Sequence, residues 1–180
     1  KGMMEAPTEG GTVSTGGVQN LACLIQIHES GKLTLENTGA CNASRGRIYN
    51  TNDKLRYTIK NYGELVLNGN LRIEAELNAL VTTPYVFSGA IYMESDFGAA
   101  DPQVTLTVNE GVEITAKKAG TANSEYPCAI LSYSSQRVDT GDQDKIDITI
   151  NGGSFDIDSA DDAVHSNYSI SIHDGSFTIR

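Results

Sequence analysis

Carboxylates that could hold a cation crowd the C-terminal end of this chain. Asp139, Asp142, Asp144, Asp147, Asp156, Asp158, Asp161, Asp162 and Asp174 fall in its last 42 residues, where only Lys145 and Arg180 offset them. Charge at that density needs solvent, a partner of opposite sign or a bound cation. One group is the Gly-containing run Asp139-Thr-Gly-Asp142-Gln-Asp144, which loosely matches a calcium loop but lacks the twelve-residue pattern with a terminal Glu. A stronger group is Asp156, Asp158, Asp161 and Asp162, four carboxylates within seven residues. On a strand, Asp156 and Asp158 share a face, and Asp161-Asp162 then fill the next corner. Calcium accepts several oxygens in loose geometry, so this corner is the first candidate metal site and Asp139, Asp142 and Asp144 the second. Solvated turn carboxylates are the competing reading of both.

Other chemistry-bearing residues are sparser. His165 suits packing or a corner hydrogen bond better than zinc, because neither His28 nor His173 stands at metal spacing. Tyr49, Tyr92, Tyr133 and Tyr168 recur near one strand of a repeat, where aromatic faces either pack or stack on sugar rings. No Gly-x-Ser-x-Gly step marks a nucleophile.

The elements that must position these groups repeat. Six copies of aliphatic, short polar step, Gly, then alternating apolar residues occur, from Ile27-His-Glu-Ser-Gly31-Lys-Leu33-Thr-Leu35 to Ile172-His-Asp-Gly175-Ser-Phe177-Thr-Ile179. Each has the chemistry of strand, corner, strand: period-two alternation flanks a Gly that tolerates positive φ. A shorter repeat lies between them: Gly46-Arg-Ile48-Tyr49, Gly89-Ala-Ile91-Tyr92, Cys128-Ala-Ile130-Leu131 and Asp162-Ala-Val164-His165. It predicts a strand on a second wall. Gly69, Gly111 and Gly153 are equally spaced, and Gly175 follows after little more than half that interval. A unit of about 21–22 residues, with a poorly marked coil inside each longer interval, accounts for both spacings and falls at the short end of solenoid repeats.

The fold class that follows is all-β: a right-handed, single-stranded parallel β-helix of about eight coils over residues 1–180, one domain. A β-sandwich would show turn signals every ~8–12 residues and no fixed long register. Residues 73–81 carry some helical propensity, but their place after a corner suits a strand and a loop. Irregular inserts are expected at 40–54, 96–102, 116–127 and 134–145. Cys23 and Cys41 stand about one coil apart and could bridge; with Cys128, they read more simply as small buried residues. The chain starts at Lys1 with no leader pattern and stops at Arg180 inside a strand pattern, so either a mature fragment or a piece of a longer protein is expected.

Composition narrows function. The net charge of −10 disfavours nucleic acid, and no apolar run approaches the ~20 residues that span a membrane. An acidic polysaccharide would be repelled unless a cation intervened.

Residues 146–179, with Asn151-Gly152-Gly153, Ser159-Ala160-Asp161-Asp162-Ala163-Val164-His165-Ser166 and His173-Asp174-Gly175, resemble bacterial calcium-dependent carbohydrate-binding β-helix proteins with a polysaccharide-lyase-like fold. In that family an Asn-Gly-Gly corner precedes a Gly-Asp-Asp-Ala/Gly-Ile-His step; here Ala160 and Val164 depart from it. The aspartate pair would fall on Asp161 and Asp162, whereas Pro127-Cys128 and Ser88-Gly89 take its place in other coils. The resemblance implies calcium-assisted, non-catalytic polysaccharide binding outside the cell or at its surface, with Tyr133, Arg137, His165, Asn167 and Tyr168 as candidate glycan contacts. The alternatives are an adhesive surface solenoid that stacks end to end, and a pectin-type lyase or hydrolase. Related hydrolases pair such aspartates as acid and base, but they also need Gly-His-Gly and Arg-Ile-Lys segments, which this sequence lacks. For a lyase, Arg137 is the candidate basic residue, though nothing in the sequence positions it.

Overall fold

A computed structural model describes residues 3–5, 23–38, 45–50, 57–77, 86–94, 103–118, 125–133, 145–158, 162–166 and 169–180. The strands among them are β1 (Met3–Glu5), β2 (Cys23–Ile27), β3 (Lys32–Asn37), β4 (Gly46–Asn50), β5 (Tyr57–Asn61), β6 (Glu64–Gly69), β7 (Leu71–Leu77) and β8 (Val86–Glu94). They continue as β9 (Gln103–Val108), β10 (Glu113–Lys118), β11 (Glu125–Tyr133), β12 (Lys145–Ile150), β13 (Ser154–Ile157), β14 (Val164–His165), β15 (Ser169–Ile172) and β16 (Ser176–Ile179).

Three parallel walls result: A with order β1-β4-β7-β10-β13-β16, B with β14-β11-β8-β5-β2, and C with β15-β12-β9-β6-β3. Successive strands visit A, B and C in turn, which is a parallel β-helix, as the alternation and corner glycines predicted. The described strands complete five turns and begin a sixth, against about eight from the spacing. Register explains the difference. Ile73 pairs directly with Ile114 and Ile114 with Phe155, so each of the longer glycine intervals is one coil, not two. Phe155 pairs with Phe177, and this step is the short unit by itself. Longer connections, such as 78–85 and 134–144, account for the extra residues, while most turns from C to A stay short.

Alternate residues face inward and stack across coils. Wall C contributes Leu33, Leu65, Leu106, Ile148 and Ile170; wall B contributes Ile25, Ile59, Ile91, Ile130 and Val164. The middle members are fully buried and belong to one continuous core. On wall A the stack passes from Ile114 to Phe155 and Phe177, whose rings lie parallel with centroids 4.5 Å apart.

The six corner copies divide into two types. Gly69, Gly111, Gly153 and Gly175 turn C into A and have positive φ, the conformation in which a Cβ is costly. Gly31 and Gly63 turn B into C and answer to space instead. A Cβ on Gly63 would lie 2.2 Å from the Gly31 carbonyl oxygen of the coil beside it. Buried Asn61 completes that corner, accepting from the Gly63 N–H and donating to the Thr105 carbonyl.

Three copies of the shorter repeat lie in register on wall B, as expected; the Gly46 copy does not. It builds β4 on wall A, and Tyr57-Thr58-Ile59-Lys60 takes the equivalent place on B. Residues 71–77 are strand rather than helix, because Ile73 and Ala75 are held inward by neighbours on both sides. The inserts expected at 40–54 and 116–127 also supply strand: β4 lies in the first, and parts of β10 and β11 in the second.

Candidate functional site

The outer face of wall A carries charge on alternate residues, and the register sets opposite signs side by side. Arg47 on β4 pairs with Glu74 on β7 and lies over the Tyr49 ring. Arg72 reaches Glu113 on β10 at 2.8 Å, and Arg45 pairs with the same carboxylate. Further along, Asp156 on β13 lies between Lys117 of β10 at 2.6 Å and Arg180 at 2.7 Å. These networks tie neighbouring coils together and neutralise much of the wall.

Asp156 therefore has protein cations on both sides, which does not suit a calcium ligand. The Lys117 hydrogen bond and the adjacent positive charges hold its carboxyl below the usual aspartate range. A carboxyl with a depressed folded-state pKa contributes stability above its unfolded pKa and loses it as pH falls through the folded value. Asp156→Asn is expected to lower stability at neutral pH by about 0.5–1 kcal/mol, in line with a partly exposed ion pair. Urea unfolding should show the variant and the parent converging from about pH 4 downward; a constant gap would contradict the assignment.

Among the described residues, Asp158 and Asp162 form no metal-binding group with Asp156. Asp158 is exposed at the end of wall A, its backbone N–H bonded to Ala116. Asp162 is on the wall B side, where one carboxylate oxygen lies 2.7 Å from His165 Nδ1. That contact gives His165 the corner hydrogen bond expected of it. Among the described residues, no three His, Cys, Asp or Glu side chains form a metal-binding group. Asp161, Asp139, Asp142, Asp144, Arg137, Asn167, Tyr168 and Cys41 lie outside the described residues, as do the side-chain surroundings of Tyr133.

Of the four recurring tyrosines, the two whose side chains are described do not share a wall. Tyr49 is on wall A, whereas Tyr92 is buried on the outer side of wall B with Tyr57, Cys128 and Leu131. Tyr57 and Tyr92 have ring centroids 4.6 Å apart, and burial pushes the Tyr92 hydroxyl pKa far upward. Lys60, only 8 % exposed, lies against the Tyr62 and Tyr92 rings and 3.6 Å from Glu94. These residues pack. Cys23 is partly buried and Cys128 is buried.

Among the described residues, a concave feature lies at the corner between walls C and A. A shallow groove of about 400 Å³ runs across three coils there. Its floor is Gly111, Val112, Gly152, Gly153, Ser154, Gly175 and Ser176, and Arg45, Glu110 and Asp174 border it. Beside it an asparagine ladder climbs the coils: Asn151 donates to Asn109 at 2.9 Å and Asn109 to Asn68 at 2.6 Å. Both features follow from the corner sequence. Small residues at the positive-φ glycines leave the trough, and the same register stacks the preceding amides. The near-equal spacing of Asn68, Asn109 and Asn151 was the available signal, but corner glycines concealed it as mere turn chemistry.

Fold and site together define a β-solenoid that presents an asparagine ladder beside an open groove. A family model described as carbohydrate-binding domain-containing protein matches residues 65–180, more than half of the chain. The chain belongs to that family. No curated protein and no solved structure matches it.

Proposed function

We propose that this chain is a non-catalytic polysaccharide-binding module acting outside the cell or at its surface, with the glycan lying along the C-to-A corner. The family match carries this reading, because residues 65–180 include most of the groove and the whole asparagine ladder. The geometry supports it. Ser154, Ser176, Glu110, Asp174 and Arg45 offer donors and acceptors beside a floor too small-chained to block a sugar. Strand pairing fixes their backbones beforehand, which reduces the ordering cost of binding.

Calcium enters this reading for an acidic glycan. Glu110, Asp174 and the net charge of −10 oppose uronate carboxylates. A bridging cation would draw on Asp158, Asp161 and Asp162, and secondarily on Asp139, Asp142 and Asp144, rather than on Asp156. Affinity electrophoresis tests both levels. Retardation in gels containing polysaccharide, with no release of sugar fragments, is the expected result; migration unchanged by every glycan would remove the proposal. Retardation by polygalacturonate with calcium but not with chelator would establish the calcium-assisted form.

A second reading, an adhesive solenoid associating end to end, is favoured by Ile170, Ile172 and Ile179, which are 39 %, 54 % and 57 % exposed. They continue the inner stacks and would be covered by a further coil. Sedimentation velocity should then show mass rising with concentration, and a monomer throughout would exclude it.

A further inference from the structure

We infer that the outer face of wall C is a platform for an uncharged, extended pyranose polysaccharide running along the solenoid axis. This deepens the proposed function and rests on it: the corner groove and wall C form one surface, and its chemistry names the glycan class.

The three walls differ in what they offer. Outer charges on A are tied into ion pairs, and on the outer side of B Tyr57, Tyr92, Cys128 and Leu131 are buried against one another. Wall C is different. Register aligns Thr34, Val66, Thr107, Thr149 and Ser171 in one central file with no charge in it. Thr107 and Thr149 are half-exposed while Leu106, Val108, Ile148 and Ile150 on either side of them are fully buried, so the hydroxyl-bearing positions face outward. A second file holds Lys32, Glu64, Thr105, Asp147 and Ser169, in which Lys32 pairs with Glu64 at 2.6 Å and Ser169 donates to Asp147.

The asparagine ladder borders the central file on the groove side, since Asn109 and Asn151 follow β9 and β12 directly. Wall C therefore carries an uncharged central file of hydroxyls, interrupted at Val66, with the amide ladder on one side and a file whose charges are partnered within it on the other. Parallel strands lie ~4.8 Å apart, close to the length of one sugar unit in an extended β-linked chain. Successive sugars can thus meet successive coils, and in a twofold β-1,4-linked chain alternate sugars present the same edge to the wall. A uronate carboxylate would find no cation in the central file, whereas neutral ring hydroxyls find partners at each step.

The test uses the full 180-residue chain in chelator. Affinity electrophoresis and titration calorimetry are run with soluble xylan, hydroxyethyl cellulose and polygalacturonate. The neutral glycans should bind without calcium. The Thr107→Val/Thr149→Val pair keeps strand propensity but removes two hydroxyls, and should weaken binding about tenfold, as two ordinary hydrogen bonds imply. Thr107→Ser/Thr149→Ser should restore it, and Thr149→Lys should block it while circular dichroism and melting temperature stay at the parent values. Unchanged affinity in the valine pair and in Thr149→Lys would overturn the platform while leaving polysaccharide binding elsewhere intact. Binding of polygalacturonate alone, dependent on calcium, would do the same. Failure of every glycan would overturn the platform together with the function on which it rests.

Discussion

Ile148→Ala is expected to destabilise the solenoid by about 2–5 kcal/mol, the range for truncating a buried isoleucine whose cavity stays open. Ile148 has no exposed surface and stands between Leu106 and Ile170 in the wall C stack. Those neighbours belong to separate strands, each held by its own backbone ladder, so they cannot move together to fill the gap. The same truncation at Leu33 should cost less, because that residue is only partly buried in the first described coil of wall C. Urea unfolding followed by circular dichroism measures the difference. In a solenoid each coil is stabilised chiefly by its neighbours. A central loss should therefore also reduce cooperativity, seen as a smaller m-value. Equal effects at Leu33 and Ile148 would contradict the stacked core.

Gly89→Ala is expected to be comparably severe, about 3 kcal/mol, although it adds one methyl group. A Cβ at Gly89 would lie 2.1 Å from the carbonyl oxygen of Cys128, its register partner on β11. Backbone cannot rotate away as a flexible side chain can, so β8 and β11 would have to separate. Gly46→Ala is the matched control: its Cβ would come no nearer than 3.3 Å, and the atom met there belongs to the Asn37 side chain. It should change stability by less than about 1 kcal/mol. Thermal unfolding of both variants decides the matter, and a tolerated Gly89→Ala would mean that the two strands are less closely apposed than their register indicates.

These two expectations show which features were open to reading along the chain. The inward role of Ile148 follows from Ile146-Asp-Ile148-Thr-Ile150 alone, because side chains on a strand alternate. The positive-φ corners at Gly69, Gly111, Gly153 and Gly175 were equally legible, since few other residues adopt that conformation. Gly89 was not. It sits inside a strand with no positive φ, and only the nearness of Cys128, a full coil away along the chain, demands a glycine there. Asp156 shows the same limit. Its neighbours Asp158, Asp161 and Asp162 suggested a cation site, but its actual partners are Lys117 and Arg180, brought beside it by β10 and β16.

Local pattern therefore specified the all-β solenoid, its inward faces and the C-to-A corners. Alternation and turn chemistry act over a few residues and survive whatever lies between the repeats. Coil number, the partners of each charge and the uncharged file on wall C depended on which strands stack. Stacking is a long-range choice made by burial across the whole core, and inserted connections change the chain spacing without changing it. That is why the long stretch from Gly111 to Gly153 can be one turn here, and why Thr107 and Thr149 become neighbours only after folding.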